Sequence, residues 1–323
     1  HFSISAFQHF SISAFQHFSI SAFQHFSISA FQHFSISAFE HFSISVFQFF
    51  SFQHFLPMSS QTLRGDNFRT PTYCIDWQQP RRNRWAICVF VINEGKKVRM
   101  QLREMKTYSK LVDLIVADGG STDGSLTEEL MREVEATALL VKTGPGKLSA
   151  QMRMAMDYCM TEGYDGVIVI DGNGKDGLDA IPSFVEALEA GWDHVQGSRF
   201  VPGGHHENTP LSRYIAVNLV HAPMVSLASG FRYTDTTNGF RAYSRRLLTD
   251  PQIDIFRSCF DRYQLHYHLA IESVKRGLRV KELPVSRVYP ASGKTPTKIK
   301  GFGGLFAVLR QLFDVCVGKY RKK

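Results

Sequence analysis

From residue 85 onward, short apolar runs alternate with stretches whose apolar positions recur every three or four residues. Residues 86–92 and 167–170 are unbroken apolar runs, and 111–117 is interrupted only by Asp113. Runs of this length and continuity predict strands buried on both faces. Each stops at a polar, glycine-rich turn: Asn93-Glu94-Gly95, then 118–124 (DGGSTDG), then 171–177 (DGNGKDG). Residues 138–141 predict a further short strand. Helical periodicity fills the intervals at 96–109, 125–135 and 179–190. A fourth helix opens at Gly144-Pro145-Gly146-Lys147, with Leu148, Met152, Ala155, Met156 and Cys159 along one side. Strand–helix alternation with acids at the strand ends predicts an open, largely parallel α/β sheet. Ligands bind such sheets outside the carboxyl ends of the strands.

Beyond residue 193 the pattern is less regular. Residues 194–200 predict a strand leading into a glycine-rich loop, and 211–229 an apolar helix kinked at Pro223. Residues 234–241 (TDTTNGFR) predict a polar turn that enters a strand at Ala242 and Tyr243. A helix over 261–276 precedes Gly277 and a strand over 278–285. The tail, 301–323, places Phe302, Leu305, Phe306, Leu309, Leu312, Phe313 and Val317 at helical spacing before a basic end. This predicts a C-terminal amphipathic helix, packed on the domain or lying in a membrane interface.

The first 57 residues are of another kind. They repeat HFSISAFQ at 1–8, 9–16, 17–24 and 25–32, then vary it twice, with no Lys or Arg and a single acid, Glu40. Eight residues is not a solenoid period. The first methionine is Met58, so the preferred reading is a translated tandem repeat upstream of the true start. The alternative is a genuine low-complexity tail whose alternation would make it aggregation-prone. The expected organisation is therefore the repeat at 1–57, an irregular lead-in at 58–84, a catalytic domain at 85–300 and the helix with its basic tail at 301–323.

The remaining 266 residues hold all 37 basic residues and 28 of the 29 acids. A net charge of +9 on that part suits a polyanionic small ligand or an anionic membrane face rather than nucleic acid. Five scattered cysteines show neither a CxxC pair nor zinc spacing, which fits free thiols in a reducing, cytoplasmic setting. No uninterrupted apolar stretch reaches membrane-spanning length.

Four strand-end motifs occur in a fixed order: Asn93-Glu94, the 118–123 turn, Asp171-Gly172-Asn173, and 235–241 (DTTNGFR). Together with the Gly-Lys helix start, GSRF at 197–200 followed by Gly203-Gly204, and KELPV at 281–285, they resemble the family 2 glycosyltransferases. These have the GT-A fold, a Rossmann-like, mostly parallel sheet flanked by helices. Within the family the chain looks closest to the polyprenyl-phosphate sugar transferases of the dolichol-phosphate mannosyltransferase type. The resemblance spans about 85–300 and leaves the donor and acceptor open.

The resemblance implies roles residue by residue. Asp118 would meet the nucleobase or ribose of a nucleotide-diphosphate sugar, with Asn93, Glu94 and Asp123 bordering that pocket. A carboxylate suits N–H and hydroxyl donors because it only accepts hydrogen bonds. On the residues alone, Asp118 also reads as the cap of a 124–135 helix, the less favoured reading. Lys147 and Arg199 would face phosphates. Asp171 would bind Mg²⁺ or Mn²⁺ on the diphosphate. Asn173 replaces a second carboxylate there, leaving Asp176 or Asp179 as a further ligand and Lys175 as a phosphate partner. An EF-hand reading fails, since position 6 is Asp176 and position 12 is Pro182. Asp235 is the candidate general base if the acceptor is a sugar hydroxyl. If it is a lipid phosphate, no strong base is needed and Arg241, Arg199, Arg287, Lys294 and Lys298 matter more. His205, His206, His266 and His268 read as structural or solvated.

The resulting expectation is an inverting glycosyltransferase of cell-envelope polysaccharide synthesis. It would move sugar to a polyprenyl phosphate or glycolipid on the cytoplasmic membrane face, with peripheral contact to anionic lipid. Transfer to a hydroxyl of a growing glycan, and a non-catalytic nucleotide-sugar-binding protein, are the alternatives. A sugar nucleotidyltransferase is disfavoured, because no glycine-rich loop with Arg or Lys follows the first strand.

Overall fold

The computed structural model describes residues 64–65, 69–291 and 301–322. The octapeptide repeat, Lys294 and Lys298 lie outside them. The elements in chain order are β1 (Tyr73–Gln78), β2 (Trp85–Val91), α1 (Lys96–Met105), β3 (Val112–Asp118), α2 (Glu128–Glu133), β4 (Ala138–Lys142), α3 (Leu148–Thr161), β5 (Gly166–Asp171), α4 (Ile181–Glu189), β6 (His194–Ser198) and β7 (His205–Glu207). After these come α5 (Leu211–Ala216), α6 (Ala222–Ser229), β8 (Arg241–Ser244), α7 (Arg245–Leu248), α8 (Gln264–Lys275), β9 (Val280–Pro284), β10 (Ser286–Val288) and α9 (Gly301–Cys316).

Eight strands form one sheet in the order β1-β4-β3-β2-β5-β8-β6-β9. The central β4-β3-β2-β5 are parallel, β8 runs antiparallel between β5 and β6, and β9 is parallel to β6. The continuous apolar runs have a simple cause. Successive side chains of a strand point to opposite faces, and both faces of this sheet are covered. Ala86, Cys88 and Phe90 pack with α3 and α8 on one side. Ile87, Val89 and Val91 pack with α1, α2 and α4 on the other. The exception, Asp113, is buried at the base of β3. It accepts hydrogen bonds from the Arg82 and Asn83 backbone N–H groups, the Asn83 side-chain amide and the Tyr164 hydroxyl. A third cluster joins Val225 of α6, Ile271 of α8, and Leu312 and Val315 of α9. The predicted C-terminal helix therefore packs on the domain with part of its apolar surface.

Three differences from the sequence reading have physical reasons. The segment read as irregular, 58–84, contains β1, an edge strand antiparallel to β4 with alternating burial after Cys74. Its apolar run is short, because an edge strand buries less. The helix after Asp118 begins only at Glu128, capped by the Thr127 hydroxyl, which accepts from the Leu130 N–H at 3.2 Å. Asp118 instead closes its own turn, accepting from the Ser121 N–H and hydroxyl at 2.8 and 2.6 Å. The 211–229 helix departs from α geometry through a π turn, Val217–His221, directly ahead of Pro223. A proline there removes a backbone donor, and the π turn absorbs the misfit.

Candidate active site

The carboxyl ends of β2, β3 and β5 lie side by side, and their turns are stitched together. Asn93 sits at φ 50°, in the left-handed region that Asn tolerates better than most residues. Its side-chain oxygen accepts the Thr122 N–H at 2.8 Å, while its own N–H donates to the Ser121 hydroxyl. Asp123 accepts the Gly95 N–H at 2.9 Å. Both residues thus hold the two turns against each other, with Asp118 buried beneath them. Lys147 is exposed at the start of α3, beside Gly146 at φ +100°.

Asp171 ends β5, and its turn is fixed from below by Gln101 of α1. The Gln101 amide donates to the Asp171 carbonyl at 2.9 Å and accepts the Gly174 N–H at 2.7 Å. Gly174 takes φ +66° to make the bend. Gly239 leaves room for the Asp171 carboxylate, since a Cβ there would come within 2.9 Å of it. The second side of the turn is zipped to β10: Val288 N–H donates to the Lys175 carbonyl, and Gly177 N–H to the Ser286 carbonyl. Across this seam Arg287 donates to Asp176 at 2.5 Å and to Asp171 at 3.3 Å. Burial opposes the Arg287 charge, yet Asp176 and Asp171 hold its pKa above the usual arginine value. Burial raises the Asp176 pKa against the pull of Arg287.

Metal fit follows from these contacts. Among the described residues, the Asn173 side-chain oxygen and one Asp176 oxygen are buried without hydrogen-bond partners, while the Asn173 side-chain N–H donates to the half-buried Asp171 carboxylate at 3.3 Å. Unpartnered oxygen acceptors beside a carboxylate suit a hard, oxygen-seeking cation. Asp176, however, is committed to Arg287. Among the described residues, no three His, Cys, Asp or Glu side chains gather to hold a metal ion. The protein thus offers Asp171 and Asn173, and a ligand's oxygens would have to complete the shell.

Lys175 and Arg213 meet over the ring of Tyr289, their charged groups 5.5 and 5.4 Å from its centroid, with Arg287 at 5.7 Å. Burial and the neighbouring Arg287 lower the Lys175 pKa. Burial opposes ionisation of Tyr289, but Arg287, the Arg213 hydrogen bond and Arg199 outweigh it and lower its pKa. Cations crowded in this way favour an anion among them. A cavity of about 460 Å³ opens beside them, lined in part by Lys97, Gln101, Asn173, Lys175 and Tyr289.

Two predicted catalytic groups are turned into the interior. Asp235 is 0% exposed and forms a two-point ion pair with the buried Arg199, at 2.6 and 3.1 Å. It also accepts the N–H groups of Thr237 and Asn238. In this structure the carboxylate is thus enclosed, its oxygens taken by Arg199 and the turn's own N–H groups rather than open to a substrate hydroxyl. Arg199 is accordingly occupied by Asp235 rather than turned toward phosphate. Arg241, 2% exposed, gives its guanidinium to the carbonyls of Asn238, His266 and Thr236 at 2.8–3.1 Å. In this structure Arg241 braces the 234–241 turn on α8. His266 and His268 are buried on α8, and burial lowers the pKa of each.

Gln101, Arg213, Tyr289 and Glu282 escaped the sequence reading. Glu282 accepts from the N–H and hydroxyl of Thr234 and the N–H of Asp235, pinning that turn. The KELPV motif contained Glu282. Nothing local marks Gln101, which reads as one more polar residue of an amphipathic helix.

No protein-family model matches the chain. It is 26% identical over 206 residues to a polyprenol monophosphomannose synthase of Mycolicibacterium smegmatis, covering 63% of this chain and 77% of that protein. It is 25% identical over 205 residues to an undecaprenyl-phosphate mannosyltransferase of Micrococcus luteus, covering 63% and 83%. In fold it matches glucosyl-3-phosphoglycerate synthase from Mycobacterium tuberculosis, solved with Mn²⁺, UDP and glucosyl-3-phosphoglycerate. That match has a TM-score of 0.53 and 19% identity over 75% of this chain and 86% of that one. The chain is a glycosyltransferase with the GT-A fold, related in sequence to the polyprenyl-phosphate sugar transferases.

Proposed function

We propose that the protein transfers a sugar from a nucleoside-diphosphate donor to a polyprenyl phosphate, in cell-envelope synthesis at the cytoplasmic face of a membrane. The observation that carries this reading is the trio Lys175, Arg213 and Arg287 around Tyr289, with the expected base, Asp235, buried against Arg199. An acceptor hydroxyl would need a base. A phosphate monoester is already anionic near neutrality and needs cations instead. Its oxygen would attack the anomeric carbon while the bond from that carbon to the donor's diphosphate oxygen breaks. The electron pair then leaves with the nucleoside diphosphate, and the configuration inverts.

The donor would lie over the turns of β2, β3 and β5, with Asp118, Asn93, Glu94 and Asp123 toward the nucleoside and Lys147 toward the phosphates. Asp171 and Asn173 would hold Mg²⁺ or Mn²⁺, which neutralises charge developing on the diphosphate. Arg287 keeps Asp171 in place, and Lys175 orients the acceptor anion.

An exposed apolar stripe offers the lipid chain an exit. Leu211, Ile215, Leu219 and Leu227 recur at intervals of four or eight residues on α5, the π turn and α6, and all are exposed. A four-residue step overshoots the α-helical turn of 3.6, and the π turn takes back part of that drift. Leu211 and Ile215 share the helix that carries Arg213, on its other face. Contact between the stripe and an anionic bilayer is part of the proposal. Among the described residues, no helix is long and apolar enough to cross a membrane.

The test uses radiolabelled UDP-, GDP- and dTDP-sugars with a polyprenyl phosphate in detergent micelles and Mn²⁺. Label should pass into the organic phase with one donor, and mild acid should release it. Label transferred only to a sugar hydroxyl, or no transfer with any donor, would refute the reading.

A further inference from the structure

A helix start leaves N–H groups without intrahelical partners. At the start of α3, Lys147 occupies the cap position and offers no side-chain acceptor to meet them. The loop ahead of α8 meets them instead. The Asp261 carbonyl accepts from the N–H groups of Lys147 and Ala150 at 3.0 and 3.4 Å, and the Arg262 carbonyl from that of Ser149 at 2.8 Å. The buried Ser149 hydroxyl donates to the Arg262 carbonyl at 2.8 Å and accepts the Leu265 N–H at 3.2 Å. One turn further on, the buried Arg153 guanidinium donates to the Phe260 and Phe256 carbonyls. These N–H groups are spent on protein carbonyls. A phosphate near α3 is therefore left to the exposed Lys147 side chain, whose backbone Asp261 holds.

The loop is in turn held by the C-terminal segment. Gln311 of α9 accepts the Tyr263 N–H through its side-chain oxygen at 3.2 Å. Arg257 donates to the Tyr320 carbonyl, and the rings of Phe260 and Tyr320 lie 5.8 Å apart. Arg321 pairs with Glu272 at 3.0 Å and Lys322 with Asp254 at 3.5 Å. Leu312 and Val315 are buried in the cluster shared with α8, so a packed helix presents Gln311 to the loop.

We propose that Gln311 is a positioning residue for the donor, acting through the 256–263 loop on Lys147. This rests on the reading that Lys147 faces the donor's phosphates. Loss of the Gln311 oxygen frees the Tyr263 N–H and, with it, the end of the loop that carries the Asp261 and Arg262 carbonyls. Lys147 then samples more positions, and a charge that is less well preorganised binds phosphate less tightly. The C-terminal helix thus contributes to donor affinity from outside the strand-end turns.

Isothermal titration of the full chain with UDP, GDP and dTDP, each with Mn²⁺, tests this in a double-mutant cycle. The variants are Gln311→Ala, Lys147→Met and the pair. Gln311→Ala should weaken the tightest-binding nucleotide about threefold to tenfold, the worth of one hydrogen bond, and leave the KM for polyprenyl phosphate unchanged. Gln311→Glu, whose carboxylate still accepts the N–H, should restore binding. In the Lys147→Met background, Gln311→Ala should cost nothing more. An equal loss in both backgrounds, no loss in Gln311→Ala beside a clear one in Lys147→Met, or no rescue by Gln311→Glu would overturn the inference and leave the donor reading intact. Unchanged binding in Lys147→Met, or no binding to the wild type, would overturn the role given to Lys147 and the inference with it.

Discussion

The Asp235–Arg199 pair offers a direct choice between chemistry and architecture. Asp235→Asn keeps the shape but removes the charge opposite a guanidinium that is 2% exposed. The amide oxygen can meet one of the two N–H groups now bonded at 2.6 and 3.1 Å, and its NH₂ must point at the other. Removing one partner of a buried ion pair costs about 3–5 kcal/mol, because the remaining charge stays buried. For a domain of this size that corresponds to a fall in Tm of roughly 10 °C. Urea unfolding measures the loss. The double variant Asp235→Asn/Arg199→Met should recover part of it, giving a coupling energy on the order of 1–3 kcal/mol. Activity per folded molecule should fall far less than the factor of about 10²–10⁴ expected for a lost general base. Stability within about 0.5 kcal/mol of wild type, joined to a hundredfold or greater loss of kcat, would refute the structural account and restore Asp235 as the base.

Three further outcomes follow from the same geometry. Asn173→Asp adds a charge beside Asp171 and should lower the Mn²⁺ concentration for half-maximal nucleotide binding by about tenfold, read by calorimetry; a higher requirement would count against the metal assignment. The lowered Lys175 pKa means its charge is lost at lower pH than for an ordinary lysine, and the lowered Tyr289 pKa adds negative charge in the same direction. The KM for the phosphate acceptor should therefore rise with pH before ordinary lysines titrate, and Lys175→Met with Tyr289→Phe should flatten that limb. Leu219 and Leu227 are 72% and 90% exposed, so Leu219→Glu/Leu227→Glu should leave Tm nearly unchanged while abolishing co-sedimentation with anionic vesicles; retained binding would remove this stripe from the membrane contact.

How much could be read in advance depended on range. Hydrophobic runs located β2, β3 and β5 because strands covered on both faces need apolar residues at every position, and glycines with acids marked where each strand ends. Local pattern also placed Asp118, Asp171 and Asn173 at strand ends, since a turn and its strand are contiguous. It could not say which way a side chain faces after the turn. Asp235 and Arg241 sit in the same short motif, and only packing against β6, β9 and α8 turned them inward. Gln101 lies 70 residues from Asp171, and Gln311 lies 48 from Tyr263. No periodicity encodes such partners. The sequence by itself determined the layered sheet and its row of polar strand ends, because burial and turn formation act over a few residues. The tertiary structure decided which charges are paired in the interior and which cations are gathered at the cleft, because that depends on desolvation by elements distant in the chain.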